Sequence, residues 1–179
     1  MKKAAAAIIA MVMIGLLTAC GGTSYEPVDI SQDTDQCYTC HMGIEDLDSA
    51  SQTILTDGTP RIFDDIGCML VYLQDNDDEV EVSYVRDHHS GDWIDMADAY
   101  FIHDESIQTP MSYGFIAFSS EQEAEDYLSE SDQGEMLSSQ EITSIDEESL
   151  ETWYKGHQEG HDHGEHDDHA DEDEHDDMD

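Results

Sequence analysis

Ser51-Gln-Thr-Ile-Leu-Thr-Asp-Gly-Thr-Pro-Arg-Ile-Phe-Asp-Asp-Ile-Gly-Cys-Met-Leu-Val-Tyr-Leu73 is the stretch that decides the fold. Ser51 to Thr56 is a short β-leaning run, Asp57-Gly58 is a turn signal, and Thr59 to Phe63 returns as a second strand. Asp64 or Asp65 can cap a helix that starts at Ile66. Ile66, Met69, Leu70 and Leu73 fall at i, i+3, i+4 and i+7, one face of a helix. Cys68, Val71 and Tyr72 make the other side apolar too, which predicts a deeply buried helix. Beyond the loop Asn76-Asp77-Asp78, Glu79 to Val85 alternates polar and apolar as a strand. The order is β, β, α, β.

Working toward the C-terminus, the same order recurs. Trp93-Ile94 leads to a strand at Ala99–Ile102, a second Thr-Pro follows at Thr109-Pro110, and Gly114–Phe118 is the next strand. Ser120 and Glu123 have capping-box spacing and open a helix with Ala124, Tyr127 and Leu128 inward, ending near Gly134. Glu135 to Ile142 is expected to form the closing strand. The two Thr-Pro pairs lie about 50 positions apart, a period consistent with duplication. The fold class expected is α+β: two tandem ββαβ units sharing a small core. The boundaries run 37–92 for the first unit and 93–150 for the second.

Working toward the N-terminus, Gln36-Cys37-Tyr38-Thr39-Cys40-His41-Met42-Gly43 concentrates two thiols, an imidazole and a thioether. Thiolate with thioether is the pairing that selects Cu(I) over harder ions. The same letters spell Cys-x-x-Cys-His, the attachment signature of a c-type haem. A third reading is a redox disulfide between Cys37 and Cys40. Against the haem stands a chain of short strands, since small c-type cytochromes are usually helical around the porphyrin. Against redox exchange stands the acidic run from Glu45 to Asp48, expected to raise a thiol pKa.

The chain opens Met1-Lys2-Lys3, runs apolar from Ala4 to Leu17 and reaches Leu17-Thr18-Ala19-Cys20-Gly21. This is a secretory signal (1–19) too short for the roughly 20 residues of a membrane span. Its last residues resemble a bacterial lipobox, so Cys20 is the expected lipidation site, with acyl chains holding the domain extracytoplasmically at a bacterial membrane. Residues 20–36 read as a flexible leash. At the other end, 151–179 is almost wholly Asp, Glu, His and Gly and is expected to be disordered. Its histidines (157, 161, 163, 166, 169 and 175) suit a loose metal-collecting tail.

Charge removes whole classes of function. The formal net charge is −40, with 45 acidic side chains and five basic ones. A nucleic-acid surface needs basic patches and is excluded. The acids are spread over the whole chain, which suits life in high external salt, where screening relieves self-repulsion. No Ser/His/Asp arrangement, acid–base carboxylate pair in apolar surroundings or Gly-rich phosphate loop stands out, so the chain reads as a non-enzyme.

Four segments then carry a resemblance: Phe63-Asp-Asp-Ile-Gly-Cys-Met-Leu70, Tyr84-Val-Arg-Asp87, Trp93-Ile-Asp95 with Ala99-Tyr100, and Thr109-Pro-Met-Ser-Tyr-Gly114. Together with the lipobox they resemble the NosL-type lipoproteins, from Cys37 to about Leu137. The resemblance implies a pair of ββαβ units, Cu(I) binding, and copper delivery to nitrous oxide reductase or another extracytoplasmic cuproenzyme. The family's Cys-x-x-Cys-Gly-Met segment falls on Cys37, Cys40 and Met42, and the methionine of its Pro-Met segment on Met111. Its glycine is His41 here.

The expected metal residues are therefore Cys37, Cys40, Met42 and Met111. Met111 by spacing alone is a core methionine; the resemblance makes it a ligand. Cys37 remains a ligand, a disulfide partner or a bystander, and His41 a ligand or an exposed imidazole. Cys68, inside an apolar helix, is expected to pack rather than ligate. His88, His89 and His103 are expected to be solvated.

Overall fold

The computed structural model describes residues 24–131 and 133–158. Strand β1 (Ser51–Leu55) turns at Gly58 (φ +85°) into β2 (Pro60–Phe63), and helix α1 (Ile66–Asp75) leads to β3 (Val80–Arg86). β4 (Trp93–Asp95) and one 3₁₀ turn (Met96–Asp98) precede β5 (Tyr100–His103), β6 (Phe115–Phe118) and helix α2 (Glu121–Ser131). β7 (Glu135–Ser138), α3 (Ser139–Ile142) and α4 (Glu147–Gln158) complete the described chain. Mixed helix and strand with two small antiparallel sheets is the α+β class expected.

The sheets have the orders β2-β1-β3-β4 and β6-β5-β7. β4 pairs with β3, Ile94 opposite Val85, so Trp93–Asp95 belongs to the first sheet and the boundary expected at residue 93 falls inside it. Trp93 is held there by the Arg86 guanidinium, 3.7 Å above its ring. β4 meets only Tyr84–Arg86, which leaves Val80–Ser83 without a strand on that side among the described residues. The sheets are hydrogen-bonded to each other where β3 ends. Buried Asp87 accepts from the backbone N–H groups of His89 (3.1 Å), Ser90 (2.8 Å) and, across the sheets, Ser119 (2.7 Å). The N–H of His88 donates to the carbonyl of Ala117 at 2.8 Å.

One apolar core serves both halves. Phe63, Met69, Leu70 and Val85 from the first sheet and α1 meet Phe101, Phe115, Ile142 and Leu150 from the second half. A smaller cluster of Ile102, Phe118 and Ala124 lies under α2.

Three sequence expectations are corrected. The leash does not reach residue 36: Val28 and the buried Gln52 exchange two hydrogen bonds (2.8 and 3.1 Å), and the Tyr25 hydroxyl donates to Thr56. The closing strand stops at Ser138, because Ser138 and Glu141 form a capping box that starts α3. Disorder does not begin at 151, since α4 continues to Gln158. Leu150 and Trp153, three apart on one helical face, dock that helix on the large core. Cys20 and the tail histidines expected to collect metal lie outside the described residues, His157 excepted, which ends up within α4.

Candidate metal centre

The segment 37–42 is wound into a tight loop. The N–H of Cys37 donates to the carbonyl of Met42 (2.8 Å), and the N–H of His41 to the carbonyl of Cys37 (3.0 Å). His41 sits at φ +63°, left-handed backbone that favours glycine, which is the residue of the resembled motif at this place. The loop is fixed to the first sheet by the Tyr38 N–H on the Ile62 carbonyl (2.8 Å) and to α1 by the Thr39 hydroxyl on the Cys68 carbonyl (2.9 Å). Arg61 lies 4.6 Å above the Tyr38 ring, which meets Tyr72 edge-on.

This anchoring turns two thiols inward. The sulfurs of Cys37, Cys40 and Cys68 and a carboxylate oxygen of Asp64 all lie within 4.8 Å of one another. Two donors on one ion at a metal–thiolate length of about 2.3 Å stand at most about 4.6 Å apart, so the four atoms are spaced to close on a single ion with small inward shifts. Cys37, Cys68 and Asp64 are buried and Cys40 is half-buried. The Cys40 thiol donates to Asp64 Oδ2 at 3.4 Å, while Asp64 Oδ1 is buried with no hydrogen-bond partner. A buried, unpartnered carboxylate oxygen is costly unless something fills its second coordination direction, and a cation does.

The thiols are electrostatically unequal. The hydrogen bond from the Cys68 thiol lowers Cys37 to about 7 against the opposing effect of burial. That same hydrogen bond, and then burial, pushes Cys68 up. Burial raises Cys40 to about 12. Cys37 is thus the sulfur readiest to be a thiolate, with the Cys68 thiol donating to it. An entering cation displaces the remaining thiol protons itself.

Asp65, next along, organises the far side. Its Oδ1 caps α1 by accepting from the N–H of Gly67 (2.8 Å), and its Oδ2 accepts from the Thr109 hydroxyl (2.6 Å) and the Met111 N–H (3.0 Å). Burial raises this carboxyl to about 6 in spite of those donors. The Thr109–Met111 loop of the second half is thereby latched one residue from Asp64. A groove of about 390 Å³ opens between the two loops, with Met42, Asp64, Thr109 and Pro110 on its walls and Glu45 and Asp46 beside them.

Of the four expected metal residues, Cys37 and Cys40 lie in the cluster. Met42 stands 55% exposed at its mouth, and Met111 is half-buried against the large core that also receives Cys40. Cys68 and Asp64 were not expected as ligands. Cys68 is buried, as its apolar helix implied, yet its sulfur faces the cluster. The available signal was the spacing of Asp64 and Cys68, four apart across the helix start and so on one side of it. His88 and His89 are exposed; His103, expected in solvent, is buried. Its ring lies 4.0 Å from that of Trp153 and 4.8 Å from that of Phe115, so the unforeseen α4 is what covers it.

A family model, NosL, matches residues 27–146. Among solved structures, the crystal structure of the copper chaperone NosL from Shewanella denitrificans matches at TM-score 0.58 and 20% identity. The match covers 68% of this chain and 98% of that one, and at that identity it shows the fold. No curated protein matches this chain.

Proposed function

This chain belongs to the NosL family, and on that footing we propose that it is a copper chaperone holding one Cu(I) as cargo. The observation that carries the reading is the convergence, within 4.8 Å, of three thiols and a buried carboxylate that keeps one oxygen unpartnered. Cu(I) is satisfied by two to four soft donors without a fixed geometry, and thiolates with a thioether nearby are its preferred set. Cys37, Cys40 and Cys68 hold the ion, Asp64 accepts from the Cys40 thiol until the ion displaces that proton, and Met42 and Met111 serve as thioether arms. The recipient is an extracytoplasmic cuproenzyme, with nitrous oxide reductase as the implied one, and lipidated Cys20 keeps the carrier at the membrane.

The competing chemistries fit the geometry less well. A c-type haem needs both thiols and His41 on one open face, whereas the Cys37 sulfur is buried against Cys68. Thiol exchange needs an accessible thiolate. Here the readier thiolate, Cys37, is buried, and the more accessible Cys40 stays protonated at neutral pH.

Competition against a Cu(I) chelator tests the site. Cys40→Ser and Cys68→Ser are each expected to weaken Cu(I) by tenfold or more, and Met42→Leu and Met111→Leu by less. Unchanged affinity in Cys68→Ser would return that residue to packing alone. Zn(II), which also suits three thiolates and a carboxylate, should fail to displace Cu(I) at equal concentration; displacement would reassign the cargo.

A further inference from the structure

The groove beside the thiol cluster combines an apolar wall, an acidic rim and a buried carboxylate with one oxygen unpartnered. We propose, resting on the Cu(I) reading above, that it is where the acceptor docks. Its occupant is an extended segment of that protein bearing a methionine flanked by lysine or arginine.

Position comes first. Cys37 and Cys68 are sealed in the core, so the ion leaves through half-buried Cys40 toward 55%-exposed Met42, and both Met42 and Asp64 line this groove. An incoming donor must enter here to displace sulfurs one at a time.

Charge selects the visitor. Glu45 and Asp46 are exposed on the rim and Asp64 lies on the inner wall, while among the lining residues there is no cation. Basic flanks on the partner meet that potential and speed encounter. The same carboxylates repel a thiolate. A thioether is soft and neutral at every pH, so methionine can approach copper where an ionised cysteine would be turned away. Pro110 and exposed Met42 supply apolar contact for its side chain.

The test uses the full chain and a fluorescein-labelled peptide with two methionines flanked by four lysines. Anisotropy is followed at low salt with copper-free and Cu(I)-loaded protein. Glu45→Lys is expected to weaken the peptide about tenfold, whereas Glu125→Lys, an equal charge reversal on α2, should change it less than twofold. Replacing the methionines with norleucine should leave copper-free binding unchanged and abolish the gain produced by Cu(I). Equal effects of the two reversals, or none, would overturn the docking site, because attraction would then be to the net charge of −40 alone. Undiminished binding of the norleucine peptide to loaded protein would overturn the thioether assignment. A chelator titration run alongside separates this from failure of the copper reading, since the copper-free arm decides the docking by itself.

Discussion

His41 shows how a single backbone angle divides two readings of one motif. The histidine completes the haem-like letters, but the chain places it at φ +63°, and the loop closes through its N–H rather than its ring. A side chain in left-handed backbone costs about 1 kcal/mol relative to glycine, part of which returns as the greater freedom of glycine in the unfolded chain. His41→Gly is expected to raise the stability seen in urea denaturation by about 0.5 kcal/mol, and His41→Val to lower it by more than 1 kcal/mol. A loss of stability in His41→Gly would mean that the ring makes contacts worth more than the strain. At this scale the cysteine pair was legible because its spacing is local. Cys68 and Asp64 were not, because their role depends on a loop about 25 positions away folding back over the start of α1. Burial alone is the same for a packing cysteine and a ligand.

Elements were legible where periodicity was strong. The buried α1, the Gly58 hairpin and the alternating β3 all sit where their pattern put them. The misses have identifiable causes: a Ser-x-x-Glu cap at Ser138 cut the last strand short, and α4 carries too few apolar residues to stand out against its acidic composition. Gly67 shows tertiary contact overruling propensity. In a helix interior alanine is favoured over glycine by about 1 kcal/mol. Here a Cβ would lie 2.0 Å from the Tyr113 ring, inside any permitted contact, and forcing it in costs about 1–3 kcal/mol. Gly67→Ala is therefore expected to destabilise, by up to about 2 kcal/mol net, and to free the Thr109–Met111 loop from Asp65. Faster amide exchange at Met111 would register the second effect. A stabilised Gly67→Ala would show that Tyr113 can move aside at little cost.

For the whole molecule, acidity and one buried imidazole set the response to solvent. With a net charge of −40, the folded chain is opposed by its own repulsion, and salt screens it. The melting temperature should climb steadily between dilute buffer and molar salt; one indifferent to salt would count against the reading. His103 adds a pH limb. Burial lowers its pKa against the pull of Glu135, Glu105 and Asp104, and its ring packs against those of Phe115 and Trp153, which also meet each other. Because the folded value lies below the ordinary 6.5, the neutral ring's contribution is intact above pH 6.5 and is lost as pH falls through the folded value. His103→Phe should flatten the stability curve between pH 7 and 5, and an unaltered slope would show that other groups govern that limb.

Among the described residues, the flank of β3 beyond β4, Val80 to Ser83, has no strand beside it, and a second copy could extend the sheet there into a longer ribbon. Glu79 and Glu81 fence it off by repelling their own kind. Brine lowers that fence while it steadies the fold, so the medium in which each molecule is firmest is also the one in which neighbours are least kept apart.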